Sequence, residues 1–312
     1  MVLLVQYTLI FASVLMLVAL GGCFSEHSGV INLGLEGIMV LGALGGALVM
    51  NLLPDMPAFL MVLVTALCAA LFGMLYSCLL GVAAIRFRAD QTLIGTAMNM
   101  LATAVSTVFV SSYNKSINPD NTSSTLQYIQ QKNAFIVRIG SFEFNWFMLF
   151  AIILLALSWF VLYKTKFGLR LQACGENPQA ADSVGINVHK MRWAGVLISG
   201  MLGGLGGIVY ILSGVSEWKF EVGVAGFGFL ALAVMIFGQW KPSRIAGAAL
   251  LFGFFRSLSN VYTGFPFLAN LGIPSTVYNM MPYIISLVIL AFTSRNSKAP
   301  KAEGQPYDKG QR

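Results

Sequence analysis

The residues of this chain that could do chemistry are few, and several of them lie inside apolar sequence. Glu36 lies between Gly34 and Gly37, with Asn32 four residues before it. An ionisable side chain inside a membrane costs about 2.5–3.5 kcal/mol on insertion scales, so it needs a partner or a role. Glycines on both sides predict a break in a helix here. Asn32 and Glu36 are therefore candidates either for a polar translocation path or gate, or for a structural bond to a neighbouring helix.

Two amide side chains form a second candidate pair. Gln91 and Asn99 are eight residues apart in ADQTLIGTAMNMLATAV, so they share one face of a helix. Their amides could bind a polar solute on the path or hold two helices together. Arg256 lies in another apolar segment, more than ten residues beyond Arg244. Its side chain could reach the membrane interface or contact an acidic solute.

Catalytic and metal-binding patterns do not occur in the sequence. There is no P-loop, HExxH or GxSxG motif. The four cysteines have no paired motif spacing, and the two histidines, His27 and His189, are far apart. The sequence therefore predicts no catalytic residue, no metal site and no cofactor in this chain.

The elements that position these residues are long apolar segments. Hydrophobic residues make up 57% of the chain and charged residues 10%, which excludes a soluble globular protein. A bilayer core of about 30 Å needs about 20 apolar residues per helix. The candidate spans are 3–22, 33–53, 58–85, 92–112, 145–163, 193–213, 224–238, 245–262 and 282–293. The prediction is an all-α, polytopic membrane protein with about nine transmembrane helices, between eight and ten.

The basic loops predict the orientation of these spans. Arg86 and Arg88, the loop 164–192, Lys241 with Arg244, and the tail carry basic residues, and such loops face the cytoplasm. The membrane domain is then 1–293, its loop 113–145 is extracytoplasmic, and the polar tail 294–312 is a disordered cytoplasmic segment. The net charge of +7 reflects this topology rather than binding to nucleic acid.

The loop 164–192 is the most informative polar segment. It holds five of the 19 lysines and arginines and includes ENPQAADSVGI at 176–186. Asn177 fits an N-cap, Pro178 the first helical position and Gly185 the stop. A short helix on a basic, cytoplasmic loop is suited to docking a soluble partner.

Three stretches together resemble one protein family. They are GGCFSEHSGVINLGLEGIMVLGA at 21–43, GLRLQACGENPQAADSVGINVHKMRW at 168–193 and SGMLGGLGG at 199–207. They are similar to permeases of ABC importers in the branched-chain amino acid, ribose and nucleoside group, and the first stretch is closest to nucleoside-type permeases. The resemblance covers about Leu20 to Thr293. It implies the ABC importer permease fold and a multi-pass location in the bacterial cytoplasmic membrane.

The resemblance also implies partners. The segment ENPQAADSVGI corresponds to the coupling helix that docks in the ATP-binding subunit, which binds the ATP. The matching residues are Gly175, Glu176, Asn177, Pro178, Ala180, Ala181, Gly185 and Ile186. Cys174 departs from the commoner family pattern. The resemblance further implies a second permease subunit, which is expected to form a heterodimer with this chain. It also implies a substrate-binding lipoprotein and contact of the permease with membrane lipid.

Three functional alternatives remain at this point. Within the same family, the small-molecule solute could be riboflavin or a simple sugar instead of a nucleoside. A self-sufficient secondary transporter would need coupling-ion or proton sites, for which Glu36 is the one strong candidate. An intramembrane enzyme would need convergent catalytic groups within the spans, which the sequence lacks.

Overall fold

The protein is described here by a computed structural model covering residues 2–127, 131–140, 142–213, 217–266, 274–293 and 298–309. Its α-helices are α1 Val2–His27, α2 Leu35–Leu52, α3 Ala58–Gly81, α4 Gln91–Ile117, α5 Trp146–Lys164, α6 Lys166–Glu176, α7 Pro178–Ser183, α8 Val188–Leu212, α9 Phe227–Phe237, α10 Pro242–Val261 and α11 Ser275–Thr293. A π-helix, Val82–Arg86, extends α3, and short 3-10 helices lie at Gln131–Phe135, Phe220–Val222 and Tyr262–Gly264.

The helices confirm a polytopic membrane protein. Within the described residues, seven helical segments are long and apolar enough to cross a bilayer: α1 to α5, α8 and α10. Helix α9 is apolar but shorter, and residues 276–288 of α11 are also apolar. All nine predicted spans thus hold helix.

The connections lie at two ends of the bundle. One, called the basic end, carries residues 28–34, 82–90, 165–187 and 298–309. The other, called the ribbon end, carries two antiparallel ribbons, in which β1 Thr125–Gln127 pairs with β4 Glu217–Lys219 and β2 Ile136–Ile139 pairs with β3 Phe142–Asn145. The β1–β4 ribbon joins the segment after α4 to the segment that leads into α9.

Glycines allow α8 to lie at the centre of the bundle. In lipid, helices associate through close packing over small residues rather than through hydrophobic force. A Cβ on Gly204 would lie 2.3 Å from Ala69 O of α3, and one on Gly206 would lie 2.2 Å from a Val18 methyl of α1. A Cβ on Gly42 of α2 would lie 2.2 Å from the Gly204 Cα. The glycine-rich stretch 199–207 therefore packs on more than one side.

The helix break predicted at Gly34–Gly37 lies slightly earlier in the chain. Helix α1 ends at His27 and α2 begins at Leu35, so the unwound segment is residues 28–34, called the linker. Gly37 lies inside α2, and Glu36 lies in its first turn. Because the break ends directly before α2, Glu36 lies at the start of that helix, in its first turn.

The polar tail is not disordered throughout, which corrects the prediction for 294–312. Residues 298–309 lie against the basic end, where Ala302 N donates to Gly175 O at 2.8 Å. Ala302 and Tyr307 are buried, at 5% and 4% exposure. Average composition suggested disorder because a few well-spaced apolar side chains are diluted by their polar neighbours.

Candidate functional site

Glu36 binds the start of α9, a helix 190 residues further along the chain. Gly226 N donates to Glu36 Oε1 at 2.7 Å, and Gly228 N donates to Oε2 at 2.6 Å. The first N–H groups of a helix have no intrahelical acceptor, and the residue before α9 is a glycine without a side chain. A Cβ on Gly228 would lie 2.4 Å from Glu36 N, so the two helix starts are in direct contact. Glu36 thus forms a structural bond to a neighbouring helix.

The start of α9 lies about halfway through the bundle. The 11 residues of α9 rise about 16 Å, roughly half of a bilayer core. Its far end reaches the basic end, where His27 Nε2 hydrogen-bonds Trp240 O at 3.0 Å. Transporters commonly place the starts of such discontinuous helices at solute sites near the membrane midplane.

Two α4 amides that were singled out in the sequence, those of Gln91 and Asn99, hold the linker. Gln91 Oε1 accepts from Ile31 N at 2.7 Å. Asn99 Nδ2 donates to Leu33 O at 2.9 Å, and its Oδ1 accepts from Gly37 N at 2.8 Å. Unwound backbone inside a membrane needs such partners. The two α4 amides do share one face, and both bond to backbone of the α1–α2 connection.

Asn32 ties the same linker to α8. Its Nδ2 donates to Ser199 Oγ at 2.9 Å, and its Oδ1 accepts from Gly34 N at 3.1 Å. The side chain is fully buried. Asn32, Gln91 and Asn99 therefore converge on the linker backbone. Glu36 instead accepts from the start of α9, which the sequence alone did not indicate.

Arg256 lies against aromatic rings beside the α9 start. Its guanidinium carbon is 5.8 Å from the Phe11 ring centroid and 5.4 Å from that of Phe227. Its Nε is buried without a partner among the described residues. Cation–π contacts of this kind stabilise a guanidinium away from water.

Tyr283 of α11 completes this region, although no pattern in the sequence pointed to it. Its hydroxyl donates to Ala225 O at 2.6 Å, directly before α9. Ala225 is exposed and has φ of 52°, a conformation that is uncommon for a residue with a side chain. Strained backbone of this kind often occurs at functional sites.

One face of this region is open. Glu36, Asn99 and Tyr283 are each half-buried, and Phe229 of α9 is 48% exposed. Contacts connect them, because Gly37 bonds Asn99 and Gly226 lies between Glu36 and Tyr283. Polar side chains at this depth are costly to leave against lipid, so this stripe needs a role or a partner.

The second region singled out in the sequence, the loop 164–192, contains the short helix expected there. Asn177 Oδ1 accepts from Ala180 N at 3.0 Å, and Pro178 is the first residue of α7. Gly185 has φ of 84° and ends the turn. The loop holds more helix than expected, because α6 precedes α7 and α8 begins at Val188.

The eight residues matched to the coupling element divide between an inner and an outer face. Gly175, Pro178 and Ala181 are buried, Ile186 is half-buried, and Glu176, Asn177, Ala180 and Gly185 are exposed. A Cβ on Gly175 would lie 2.4 Å from His27 O, so the loop packs directly on the end of α1. The outer face also carries Val184, which is 75% exposed.

Comparison with known proteins finds relatives that are named as ABC transporter permeases. The chain is 40% identical to the guanosine ABC transporter permease protein NupQ of Bacillus subtilis, over 99% of this chain and 97% of that protein. It is 39% identical to the nucleoside ABC transporter permease protein NupC of Lactococcus lactis, over 96% of this chain and 95% of that one. A second L. lactis permease, NupB, is 26% identical over 96% of this chain and 83% of its own length. No solved structure matches the chain.

The family itself follows from a match to nearly the whole chain. The sequence model of the branched-chain amino acid transport system permease component matches residues 4–292. Those residues include the linker, the α9 start and α7. With its seven long apolar helices among the described residues, this chain is a multi-pass membrane protein that belongs to that permease family.

Proposed function

We propose that this chain is the permease subunit of an ATP-driven importer of nucleosides. The observation that carries the solute class is the identity of 39–40% to two nucleoside permeases over nearly their full lengths. The chain itself contributes a membrane path, while an ATP-binding subunit supplies the energy and a lipoprotein delivers the solute.

Helix α7 is the contact to the ATP-binding subunit in this proposal. Its outer face, with Ala180 and Val184, is free to enter a groove, while its inner face rests on the protein. The basic end then faces the cytoplasm, in agreement with its arginines and lysines. A single cysteine at Ser123, on the ribbon end, should react with an impermeant maleimide on intact cells. Labelling only after permeabilisation would contradict this orientation.

The solute path lies along the open face at mid-bundle depth. Glu36 and Asn99 border it while holding its backbone, and the exposed Phe229 ring offers a surface for a nucleobase to stack on. A second permease closes this face. L. lactis has one permease with 39% and another with 26% identity to this chain, which supports a heterodimer of two related permeases.

Reconstitution tests the solute class. The permease pair, the ATP-binding subunit and the receptor are placed in proteoliposomes, and uptake of guanosine, uridine, riboflavin and ribose is compared with and without ATP. We expect ATP-dependent uptake of nucleosides only. Riboflavin or ribose uptake would assign another solute, and uptake without the ATP-binding subunit would indicate a secondary transporter.

Two neighbouring alanines test the coupling helix. Ala180 is exposed and Ala181 is 3% exposed, so aspartate should act differently at each position. Ala180→Asp should lower retention of the ATP-binding subunit and uptake, without changing the amount of inserted permease. Ala181→Asp should also lower permease stability, because it buries a charge. Normal uptake by Ala180→Asp would exclude this face as the contact.

A further inference from the structure

Residues 298–309, called the strap, cross the basic end and join elements that are far apart in the chain. Ala302 N donates to Gly175 O at the end of α6, and Gly304 N donates to Gly29 O of the linker at 3.2 Å. Asp308 forms an ion pair with Arg88, between α3 and α4, at 2.7 Å. The strap is thus bonded to the coupling loop, the linker and the α3–α4 connection.

Tyr307 of the strap forms part of the surface on which α7 packs, called the α7 seat. It belongs to a buried cluster with Cys174, Ala181 and Val188, in which it is the one residue from outside α6 to α8 among the described residues. Its ring meets the His189 ring edge-on, with 5.3 Å between centroids. A helix of six residues has little stability of its own, so packing must fix its direction.

The strap also covers buried polar groups. Arg192 is 1% exposed, with its guanidinium 6.0 Å from the Tyr307 ring centroid and with Nε and Nη2 unpartnered among the described residues. The Glu303 carboxyl interacts electrostatically with that of Glu26 of α1, and its Oε2 is buried without a hydrogen-bond partner among the described residues. Removing the strap would expose this surface to water and free the inner side of α7.

We infer that the strap is a positioning element, which holds α7 against the linker so that movement of α7 reaches the α9 start. The mechanical path runs from α7 through Tyr307 and Gly304 to Gly29, and then along the linker to Glu36. Because the linker is unwound and held by side chains, it can shift without breaking a helix. This inference rests on the proposed coupling role of α7.

The rate at which Cys174 reacts with a thiol reagent reports whether the strap is in place. Its side chain is fully buried in the Tyr307 cluster, and burial raises the pKa of the thiol to about 11. It should therefore react slowly with a water-soluble maleimide while the strap is in place. The measurement uses the complete transporter, with Cys23, Cys68 and Cys78 replaced by alanine.

Three variants are compared with the parent: a chain that ends at residue 297, Tyr307→Ala and the exposed matched control Lys309→Ala. We expect the first two to raise the labelling rate of Cys174 by at least about tenfold and to lower the solute transported per ATP hydrolysed. Lys309→Ala should resemble the parent. If the shortened chain fails to accumulate, Tyr307→Ala decides the question.

Two results would overturn the inference. Unchanged labelling in Tyr307→Ala would show that the strap does not cover the α7 seat. Faster labelling with unchanged transport per ATP would show that the strap covers α7 without positioning it. The coupling role of α7 is tested separately by Ala180→Asp with an intact strap, so failure of one proposal is distinguishable from failure of the other.

Discussion

Two short helices, α7 at the basic end and α9 in mid-bundle, begin in contrasting ways. Helix α7 is capped by Asn177, the residue directly before it. Helix α9 follows Gly226, and its cap is Glu36 on α2, 190 residues earlier. A local cap stabilises one helix, whereas the distant cap also fixes two helices relative to each other. Loss of the second kind should therefore have the larger effect.

Substitution of Glu36 should have the largest effect on assembly and uptake. Glu36→Leu leaves two N–H groups of α9 without an acceptor, at about 1–3 kcal/mol for each buried group. We expect much less assembled permease pair on size-exclusion chromatography of detergent extracts, and loss of uptake.

Glu36→Gln is the matched variant. Since both carboxylate oxygens accept a bond, glutamine keeps one acceptor and turns an NH2 group towards the other donor. Its assembly should lie between that of the parent and that of Glu36→Leu. Normal assembly of both variants with poor uptake would assign Glu36 to the path or gate rather than to the cap.

Asn99→Ala should have the next largest effect. The variant loses two hydrogen bonds to backbone at the α1–α2 connection, each worth about 0.5–1.5 kcal/mol. We expect a lower thermal midpoint of the purified complex and reduced uptake. Thr96→Ala, on the same helix but exposed and bonded only within α4, is the control. Equal midpoints for both variants would mean that the linker does not depend on Asn99.

Asn177→Ala tests the local cap. Loss of an N-cap costs about 1 kcal/mol, and only the short helix α7 depends on this one. We expect normal insertion, faster proteolysis of the loop 164–192 at the basic end, and a modest decrease in uptake. Asn177→Ser keeps a capping oxygen and should resemble the parent. A loss of assembly as large as that of Glu36→Leu would remove the distinction between the two caps.

The smallest expected effect is a dependence of strap attachment on pH. Burial raises the pKa of the Glu303 carboxyl, so its protonated form favours the bound strap. Attachment should be complete at low pH and weaken as pH rises through this raised value. Glu26 of α1, with its Trp240 partner, faces this carboxyl.

Glu303→Gln removes this titrating carboxyl and keeps the size of the side chain. The rate of Cys174 labelling in Glu303→Gln, divided by that in the parent, should fall as the pH rises above 4.5, the ordinary pKa of a glutamate carboxyl. The ratio cancels the ionisation of the thiol itself. A constant ratio would show that the Glu303 proton does not stabilise the strap.

Signals within a few residues of each other allowed much of the fold to be predicted. Long apolar runs predicted the spans, and Asn177, Pro178 and Gly185 predicted α7 with the observed cap and stop. The spacing of Gln91 and Asn99 correctly placed both amides on one face of a helix. The roles of these residues in transport stay proposals, since local pattern and geometry do not identify what they contact during a cycle.

The sequence by itself determined that this is a polytopic helical membrane protein with a capped helix in a basic loop, because apolar length, charge and capping are properties of neighbouring residues. Only the tertiary structure decided that Glu36 caps α9, that Arg256 lies among aromatic rings, and that residues 298–309 form a strap. Those contacts join positions far apart in the chain. They depend on which helices become neighbours, and in lipid this follows from close packing over glycines such as Gly204.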